Sequence, residues 1–304
     1  MDLRSTVRTF ELSSMIYQYL APWVPYFQQA ITQQLQVDDS LPFIPMQLAT
    51  IDCETGFPHV RTVVYRGFLF DDTTTNVLTC TTDKRMAKYS QLLANDAFEI
   101  VCYFPKLKKQ FRFSGVARLV DSDHFPEIDL PVTKTSFHSS DEEEDDDEED
   151  ESLELKVNSS TVPHNRRDDK SHTRLIYPVI SPSLLTTLKG NEDSYTNLSS
   201  LTCYPPTNED WSNEVERQWN SLSKSLKKSF RKPPPLSEID DAKLKLIDSI
   251  NRGVDGKKEE DGYKNFAVIS LFVESVDFVD LDKDRRYIYK KNGTGIWSET
   301  EVCP

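Results

Sequence analysis

The chain has 304 residues and a formal net charge of −14 at pH 7, from 36 basic and 50 acidic side chains. A strongly acidic chain is disfavoured for general nucleic-acid binding, in which attraction to phosphate dominates, so no nucleic-acid partner is expected. The sequence shows neither an apolar run that could span a membrane nor a signal peptide, so no membrane association is expected. Its five cysteines are scattered without a CxxC motif, which indicates a reducing compartment, the cytoplasm or also the nucleus.

Residues 1–135 are predicted to form the N-terminal part of a small antiparallel barrel. Apolar residues at helical spacing predict a helix over Tyr26–Leu35, and Asp83 is predicted to cap a second helix that ends near Leu93. Runs of β-branched and aromatic residues, separated by turn residues, predict strands between and after them. These strands are Phe43–Ile51, Pro58–Phe70, Val77–Thr82, Phe98–Phe104 and Lys109–Val120.

The composition changes abruptly at residues 136–173, where Asp141–Glu151 is an unbroken run of acidic side chains. Such a segment cannot bury enough apolar surface to offset the entropy cost of ordering it, so a disordered surface insertion is predicted. A solvated loop that aids solubility is the simplest interpretation. The alternatives are a segment that binds a basic protein partner and a kinase substrate.

Residues 174–304 are predicted to complete the barrel, and the lysine-rich stretch Leu236–Asp261 is expected to be peripheral. The predicted elements are a helix over Glu214–Leu226 and strands at Leu175–Ile180, Asn265–Val273, Val276–Leu281 and Arg285–Tyr289, with a hairpin turn at Asn292–Gly293. The predicted fold class is mainly β, of the α+β type: a β-barrel with flanking helices and a disordered acidic insertion.

Basic side chains are concentrated on two neighbouring elements of this acidic chain. Arg61 and Arg66 belong to one predicted strand, on opposite faces unless the chain distorts near Gly67. Arg85 and Lys88 are three residues apart at the predicted start of a helix, where free amide groups and the helix dipole also favour anions. The pattern indicates a site for a compact anion such as a phosphate monoester. Surface ion pairs with the many acids are the alternative.

Four motifs in this region follow the order and spacing of a known family. They are Arg61 with Arg66, Thr82–Asp83 with Lys88, the helix end Gln91–Asn95, and Gln110–Arg112 on the next hairpin. Together they resemble the flavin-binding core of the pyridoxamine 5'-phosphate oxidase family, and in particular its branch of uncharacterised fungal-type, FMN-binding split-barrel homologues. The resemblance covers residues 21–120, Trp219 and the segment from Asn265 to Pro304.

The resemblance implies an FMN-binding split β-barrel that forms a homodimer with FMN at the subunit interface. It implies that Arg61, Arg66 and Lys88 hold the FMN phosphate and that Gln110 reaches the isoalloxazine ring. Arg85 is expected as an additional phosphate ligand and Thr82 as a hydrogen-bonding neighbour. The predicted cofactor-binding residues are Arg61, Val63, Val64, Arg66, Thr82, Arg85, Lys88 and Gln110. No catalytic residue and no metal site is predicted.

The sequence departs from the family pattern at three places. Met86 stands where the related branch has a serine, and Ala87 stands where the family has a second basic residue. The chain has no Arg-x-His pair, which grips pyridoxal phosphate near the C-terminus of the oxidases.

These observations leave more than one predicted function. The first is an FMN-dependent oxidoreductase of the pyridoxamine 5'-phosphate oxidase type, with an unknown small-molecule substrate. The alternative is a non-catalytic homologue without flavin that acts as an interaction protein through its acidic loop. A third interpretation, a nuclear protein that engages basic partners such as histones, rests on the acidic run alone.

Overall fold

A computed structural model of the chain describes residues 20–37, 42–131, 174–183, 204–293 and 295–304. The predicted acidic insertion at residues 136–173 lies outside these residues. The helices are α1 (Val24–Val37), α2 (Ala87–Ala94), α3 (Asn208–Ser221), α4 (Lys224–Ser229) and α5 (Asp241–Arg252). The strands are β1 (Pro45–Ile51), β2 (Pro58–Val64), β3 (Val77–Asp83), β4 (Ala97–Phe104), β5 (Lys109–Val120), β6 (Ile128–Asp129), β7 (Leu175–Ile176), β8 (Phe266–Asp280), β9 (Arg285–Lys291) and β10 (Trp297–Val302).

Eight of these strands form one antiparallel sheet in the order β10-β9-β8-β5-β4-β1-β2, with β3 also paired to β8. Strand β8 is 15 residues long, so its first half pairs with β3 and its second half with β9. The sheet closes where the chain after β2 meets β3, because the amide of Arg66 donates to the carbonyl of Thr79 at 2.9 Å. Six strands therefore surround a barrel, and β9 and β10 extend from it, which confirms the predicted mainly β architecture.

Strands β5 and β8 lie close together at Gly115. A Cβ atom there would lie 2.1 Å from the carbonyl oxygen of Phe272, which no side chain can tolerate. The register between the two strands also shifts between Ser114 and Gly115. This bulge needs glycine, and it bends the two longest strands around the barrel.

Aromatic side chains fill the interior and fix α1 against it. Trp23 and Phe27 are fully buried, and the ring of Phe27 lies 5.2 Å from that of Phe111 and 4.9 Å from that of Phe113. Trp297 of β10 packs edge-on against Trp23 at 6.1 Å. Such edge-to-face pairs add to the stabilisation that comes from burial, so the N-terminal helix and the last strand share one core.

A second apolar cluster joins the C-terminal helices to the part of the sheet formed by β3 and β8. Trp219 of α3 packs at 5.6 Å from Phe230 and at 5.2 Å from Phe266, the first residue of β8. The C-terminal helices are thus attached next to β3, the strand that leads into α2.

Among the described residues, no helix is both long enough and apolar enough to cross a membrane.

The predicted start of α2 is wrong. Asp83 does not cap a helix, because Thr82 and Asp83 still pair with β8 and the Asp83 carboxylate accepts from the amide of Arg85 at 2.9 Å. Met86 is the N-cap residue instead, without a side-chain capping hydrogen bond, and α2 begins at Ala87. Arg85 therefore precedes the helix and does not share a helical face with Lys88.

Other predicted boundaries differ because tertiary pairing overrides local signals. The helix predicted over Glu214–Leu226 is two helices, α3 and α4, the second capped by Ser223. The two strands predicted on either side of Glu274 are the single strand β8. The strand predicted over Pro58–Phe70 ends at Val64, Leu175–Ile180 contributes only the two residues of β7, and β6 and β10 are not among the predicted strands. The stretch expected to be peripheral contains α5, of which only Ile250 is buried.

Candidate anion-binding site

Arg61 of β2 is held by neutral oxygen atoms. One guanidinium nitrogen, Nη1, donates to the hydroxyl of Thr50 at 2.6 Å and to the carbonyl of Leu48 at 3.4 Å. The other, Nη2, donates to the side-chain oxygen of Gln91 at 2.9 Å. Partial burial, which disfavours the charged form, lowers the pKa of Arg61.

At Arg66 the backbone stops pairing with the β1 side of the sheet and begins to pair with β3. The amide of Tyr65 still donates to Ile44 before β1, whereas the amide of Arg66 donates to Thr79 of β3. Gly67 makes this turn with φ +95°, a conformation that favours glycine. In a regular strand, Arg61 and Arg66 would point to opposite faces. Because β2 ends at Val64, before Arg66, this expectation does not apply. The Nε atom of Arg66 is buried and has no hydrogen-bond partner among the residues that the structure describes.

Lys88 lies in the first turn of α2 and is buried, with only 9% of its surface exposed. Burial is the main cause that lowers its pKa, and the positive charge of Arg61 lowers it further, whereas Cys80 and the carboxylate of Asp83 oppose the shift. Its Nζ atom lies 2.8 Å from the sulfur of Met86, and a thioether is a weak acceptor. The positive charge of Lys88 is therefore poorly compensated by the protein.

Cys80 of β3 links the surroundings of Lys88 and Arg66. Burial raises the pKa of the Cys80 thiol to about 12, and the charges of Lys88 and Arg66 act against this shift. The contacts agree with this, because the amide of Arg66 donates to Thr79, next to Cys80, and Arg61 donates to Gln91, which follows Lys88 by three residues in α2. The structure brings the three side chains together around the end of β3 and the start of α2.

No carboxylate forms an ion pair with these three cations in the described part of the chain, and Asp83 acts on Lys88 only without direct contact. Among the described residues, none of Arg61, Arg66 and Lys88 forms an ion pair, although many other basic side chains of the barrel do. We call Arg61, Arg66 and Lys88 the cation cluster. Three buried or half-buried positive charges without an acidic partner can accept a doubly charged anion.

Arg85 is occupied elsewhere. Its guanidinium binds both carboxylate oxygens of Asp83, with the shorter contact at 2.6 Å. It also donates to the carbonyl of Lys232 at 2.8 Å and to that of Phe230 at 3.0 Å, both just after α4. These contacts use its main donors and tie the C-terminal helices to the segment before α2.

The other residues predicted around the phosphate lie in the barrel wall. Val63 is part of the hydrophobic core, and Val64 is half-buried at the end of β2. Thr82 is buried, and its hydroxyl donates to the carbonyl of Asp83 at 3.2 Å. Thr82 thus has a partner within the protein.

Gln110 lies apart from the cation cluster. Through β1 and β4, Arg61 is in register with Phe113 of β5, so three strands and three residues separate it from Gln110 along the sheet. Gln110 is also on the opposite face from Phe111 and Phe113, and its side-chain amide makes no hydrogen bond within the described chain. Within one chain, Gln110 and the cation cluster do not meet.

Sequence reasoning missed Thr50 and Gln91 as parts of this site. Gln91 follows Lys88 by three residues, and that spacing places both on one face of α2. Nothing in the sequence indicates Thr50, because its place beside Arg61 depends on the register of β1 with β2. Among the described residues, no group of His, Cys, Asp and Glu side chains is arranged to hold a metal ion.

Comparisons with known proteins agree with this geometry. A family model described as the FMN-binding domain of pyridoxamine 5'-phosphate oxidase matches residues 20–121, which include the whole cation cluster. The uncharacterized protein YGR017W of Saccharomyces cerevisiae is 34% identical over 306 residues, which cover 94% of this chain and 99% of the yeast protein.

A solved structure shows the same fold. The pyridoxamine 5'-phosphate oxidase-related, FMN-binding protein of Nostoc punctiforme PCC 73102 is similar with a TM-score of 0.56 and 21% sequence identity. The alignment covers 94% of this chain and 98% of the bacterial chain. The likeness therefore extends beyond the flavin-binding motifs to the C-terminal part that completes the barrel.

Proposed function

The chain belongs to the pyridoxamine 5'-phosphate oxidase-like family of FMN-binding split-barrel proteins, and we propose that it binds FMN through the cation cluster. The observation that carries this proposal is the set of three neighbouring cations that form no ion pair with any residue that the structure describes. Burying a charge without compensation costs free energy. A phosphate dianion would supply that compensation from outside the chain.

The residues present fit a phosphate monoester. The buried Nε atom of Arg66 has no hydrogen-bond partner in the described chain, so a donor is already available. Lys88 adds a poorly compensated ammonium group, and Arg61 adds a guanidinium fixed in position. Charge-assisted hydrogen bonds to phosphate are about twice as strong as neutral ones.

We propose further that the protein works as a homodimer. The resemblance to the family implies FMN at a subunit interface, and Gln110 would reach the isoalloxazine ring of a flavin whose phosphate the partner holds. Apolar side chains are exposed on the same outer face of the sheet as Gln110, including Val60 at 65% and Tyr103 at 46%. Exposed apolar surface of this kind is typical of an interface between copies.

The proposed activity is that of a flavin-dependent oxidoreductase. FMN, when bound, supplies the redox chemistry, and the protein supplies orientation, charge and exclusion of water. The sequence lacks the Arg-x-His pair that grips pyridoxal phosphate in the oxidases. We therefore do not assign pyridoxamine 5'-phosphate as the substrate.

One observation favours the alternative of a homologue without flavin that acts as an interaction protein. Met86 stands in the place of a serine donor, and its sulfur already lies 2.8 Å from Nζ of Lys88. A weak thioether contact is easily exchanged for a phosphate oxygen, because a charged acceptor binds an ammonium group more strongly. The cation cluster itself therefore outweighs this observation.

The absorption spectrum of the purified protein, before and after FMN is added and the sample desalted, tests the proposal. We expect the wild type to retain the visible flavin bands. Arg61→Ala and Lys88→Ala should lose them while remaining folded, because each removes a charge-assisted contact worth about 1.5–3 kcal/mol. Lys245→Ala, at an exposed position of α5, is the control and should retain flavin.

Two outcomes would contradict the proposal. One is a wild-type protein that takes up no FMN, which would favour the interaction protein. The other is flavin retention by both cation variants at the wild-type level, which would place FMN away from the cluster. Sedimentation of the loaded protein as a monomer would contradict the dimer alone.

A further inference from the structure

The guanidinium of Arg61 is part of a closed ring of three side chains. It donates to the hydroxyl of Thr50 at 2.6 Å and to Oε1 of Gln91 at 2.9 Å. The hydroxyl of Thr50 in turn donates to the same Oε1 atom at 2.6 Å. Thr50 is 1% exposed and Gln91 is 7% exposed, so water competes little with these contacts.

The chemistry of the ring fixes the role of each group. A guanidinium only donates hydrogen bonds, so Gln91 must present its oxygen and not its amide nitrogen to Arg61. The hydroxyl of Thr50 accepts from Arg61, which leaves its single proton for Gln91. Each polar atom in the ring therefore has a defined role as donor or acceptor, and these hydrogen bonds fix the position of the Arg61 side chain.

The ring holds Arg61 without neutralising it. Two partners in the ring are an alcohol and a carboxamide, and the third contact is the backbone carbonyl of Leu48. Elsewhere the chain fixes arginines with carboxylates, as Asp83 does for Arg85 and Asp277 does for Arg286. Glutamate has the same shape as glutamine, so the neutral residue at position 91 matters for charge and not for packing.

We propose that Thr50 and Gln91 are positioning residues of the anion site, which aim the Arg61 guanidinium through neutral oxygens so that its full charge remains for the phosphate of the ligand. The identity of that ligand as FMN rests on the proposed function. The ring itself rests only on the contacts of Arg61. Neither residue touches the reacting part of a flavin in this proposal.

Gln91→Glu is the decisive variant, because it adds a negative charge at Arg61 with almost no change of shape. We expect the dissociation constant for FMN to rise at least tenfold and that for riboflavin, which lacks the phosphate, to change less than twofold. The melting temperature without ligand should stay the same or rise, since the variant gains an ion pair. Gln29→Glu, at an exposed position of α1, makes the same chemical change as a control and should leave both constants unchanged.

A second pair of variants tests the hydroxyl. Thr50→Val removes it and keeps the shape, so FMN affinity should fall severalfold, whereas Thr50→Ser keeps the hydroxyl and should restore it. If Thr50 had a purely structural role, the FMN affinity of each variant would follow its melting temperature and would not depend on the hydroxyl. Gln91→Glu binding FMN within twofold of the wild type would overturn the inference, as would equal affinities of the two Thr50 variants.

Inorganic phosphate separates this inference from the proposed function. If the wild type takes up no FMN, the proposed function fails, and phosphate becomes the probe of the ring. The inference then requires that phosphate raises the melting temperature of the wild type and not that of Gln91→Glu. A wild type whose melting temperature does not respond to phosphate would overturn the inference as well.

Discussion

Basic side chains in two adjoining regions of the molecule are held in different ways. Where the C-terminal helices meet the barrel, Arg85 binds Asp83 at 2.6 Å and Arg231 binds Asp255 at 2.8 Å. In the cation cluster, Arg61 meets neutral oxygens and Lys88 meets a sulfur atom. The first arrangement compensates each charge within the chain, and the second leaves it available.

The difference separates cations that hold the fold together from cations that bind a ligand. Removing one partner of a compensated pair leaves a buried charge of the other sign, so the fold loses stability. Removing a poorly compensated cation relieves a desolvation cost, so the fold loses little and the ligand loses a contact. The two regions should therefore respond to substitution with opposite patterns of stability and binding.

The largest effect is expected for Arg231→Met. The side chains of Arg231 and Asp255 are each only 3% exposed, and Asp255 would remain buried without its partner. Breaking such a pair costs about 3–5 kcal/mol of unfolding free energy, which urea denaturation would measure. Lys243→Met, whose pair with Asp240 is more exposed, is the control and should cost under about 1 kcal/mol.

The FMN affinity of folded Arg231→Met should equal that of the wild type. A stability loss as small as that of the control would show that water compensates Asp255. The claim that the ion pairs next to the C-terminal helices stabilise the fold would then be contradicted.

A smaller loss of stability is expected for Arg85→Met. It removes the ion pair with Asp83 and the contacts to the carbonyls of Phe230 and Lys232. Because the Arg85 side chain is 23% exposed, water replaces part of these contacts, and the expected total loss is about 1.5–3 kcal/mol. The FMN affinity should stay within twofold of the wild type. A tenfold loss of affinity with unchanged stability would instead support the phosphate-ligand role that the sequence predicts for Arg85.

The sequence predicts the strands of the barrel well where one face is apolar. The bounds of β5 are predicted at Lys109 and Val120, as the structure has them, because apolar residues alternate along it and turn residues flank it. The start of α2 is not predictable in this way. Asp83 has the chemistry of a helix cap, but pairing with β8 and the contact with Arg85 keep it in β3.

The candidate site is likewise predictable only in part. Arg61, Arg66 and Lys88 are visible as an excess of basic residues in an acidic chain, and the structure brings them together. The groups that compensate each cation cannot be predicted from the sequence, because they depend on strand register and on contacts between distant segments. Arg85 differs from Lys88 through its ion pair with Asp83 and through carbonyl groups 147 and 145 residues away in the chain.

The smallest expected effect is the pH dependence that Lys88 gives to the protein without ligand. Burial lowers the pKa of Lys88 from its usual 10.5, whereas the unfolded chain has no such shift. Between the lowered pKa and 10.5, the unfolded chain therefore binds more protons than the folded one, and the contribution of Lys88 to stability rises with pH. Lys88→Met should remove this rise, and the difference between the two melting temperatures across alkaline pH would show it.

Binding should follow the opposite trend in the same pH window. The phosphate of FMN is fully charged above about pH 7, so further alkalisation only removes the proton from Lys88 and weakens the contact. Cys80, whose pKa burial raises to about 12, does not titrate in this window. Wild-type FMN affinity that falls while stability from Lys88 rises would show that the charge serves the ligand at the expense of the fold. If the FMN affinity did not change with pH up to 10.5, the charge of Lys88 would not contribute to FMN binding, against the prediction.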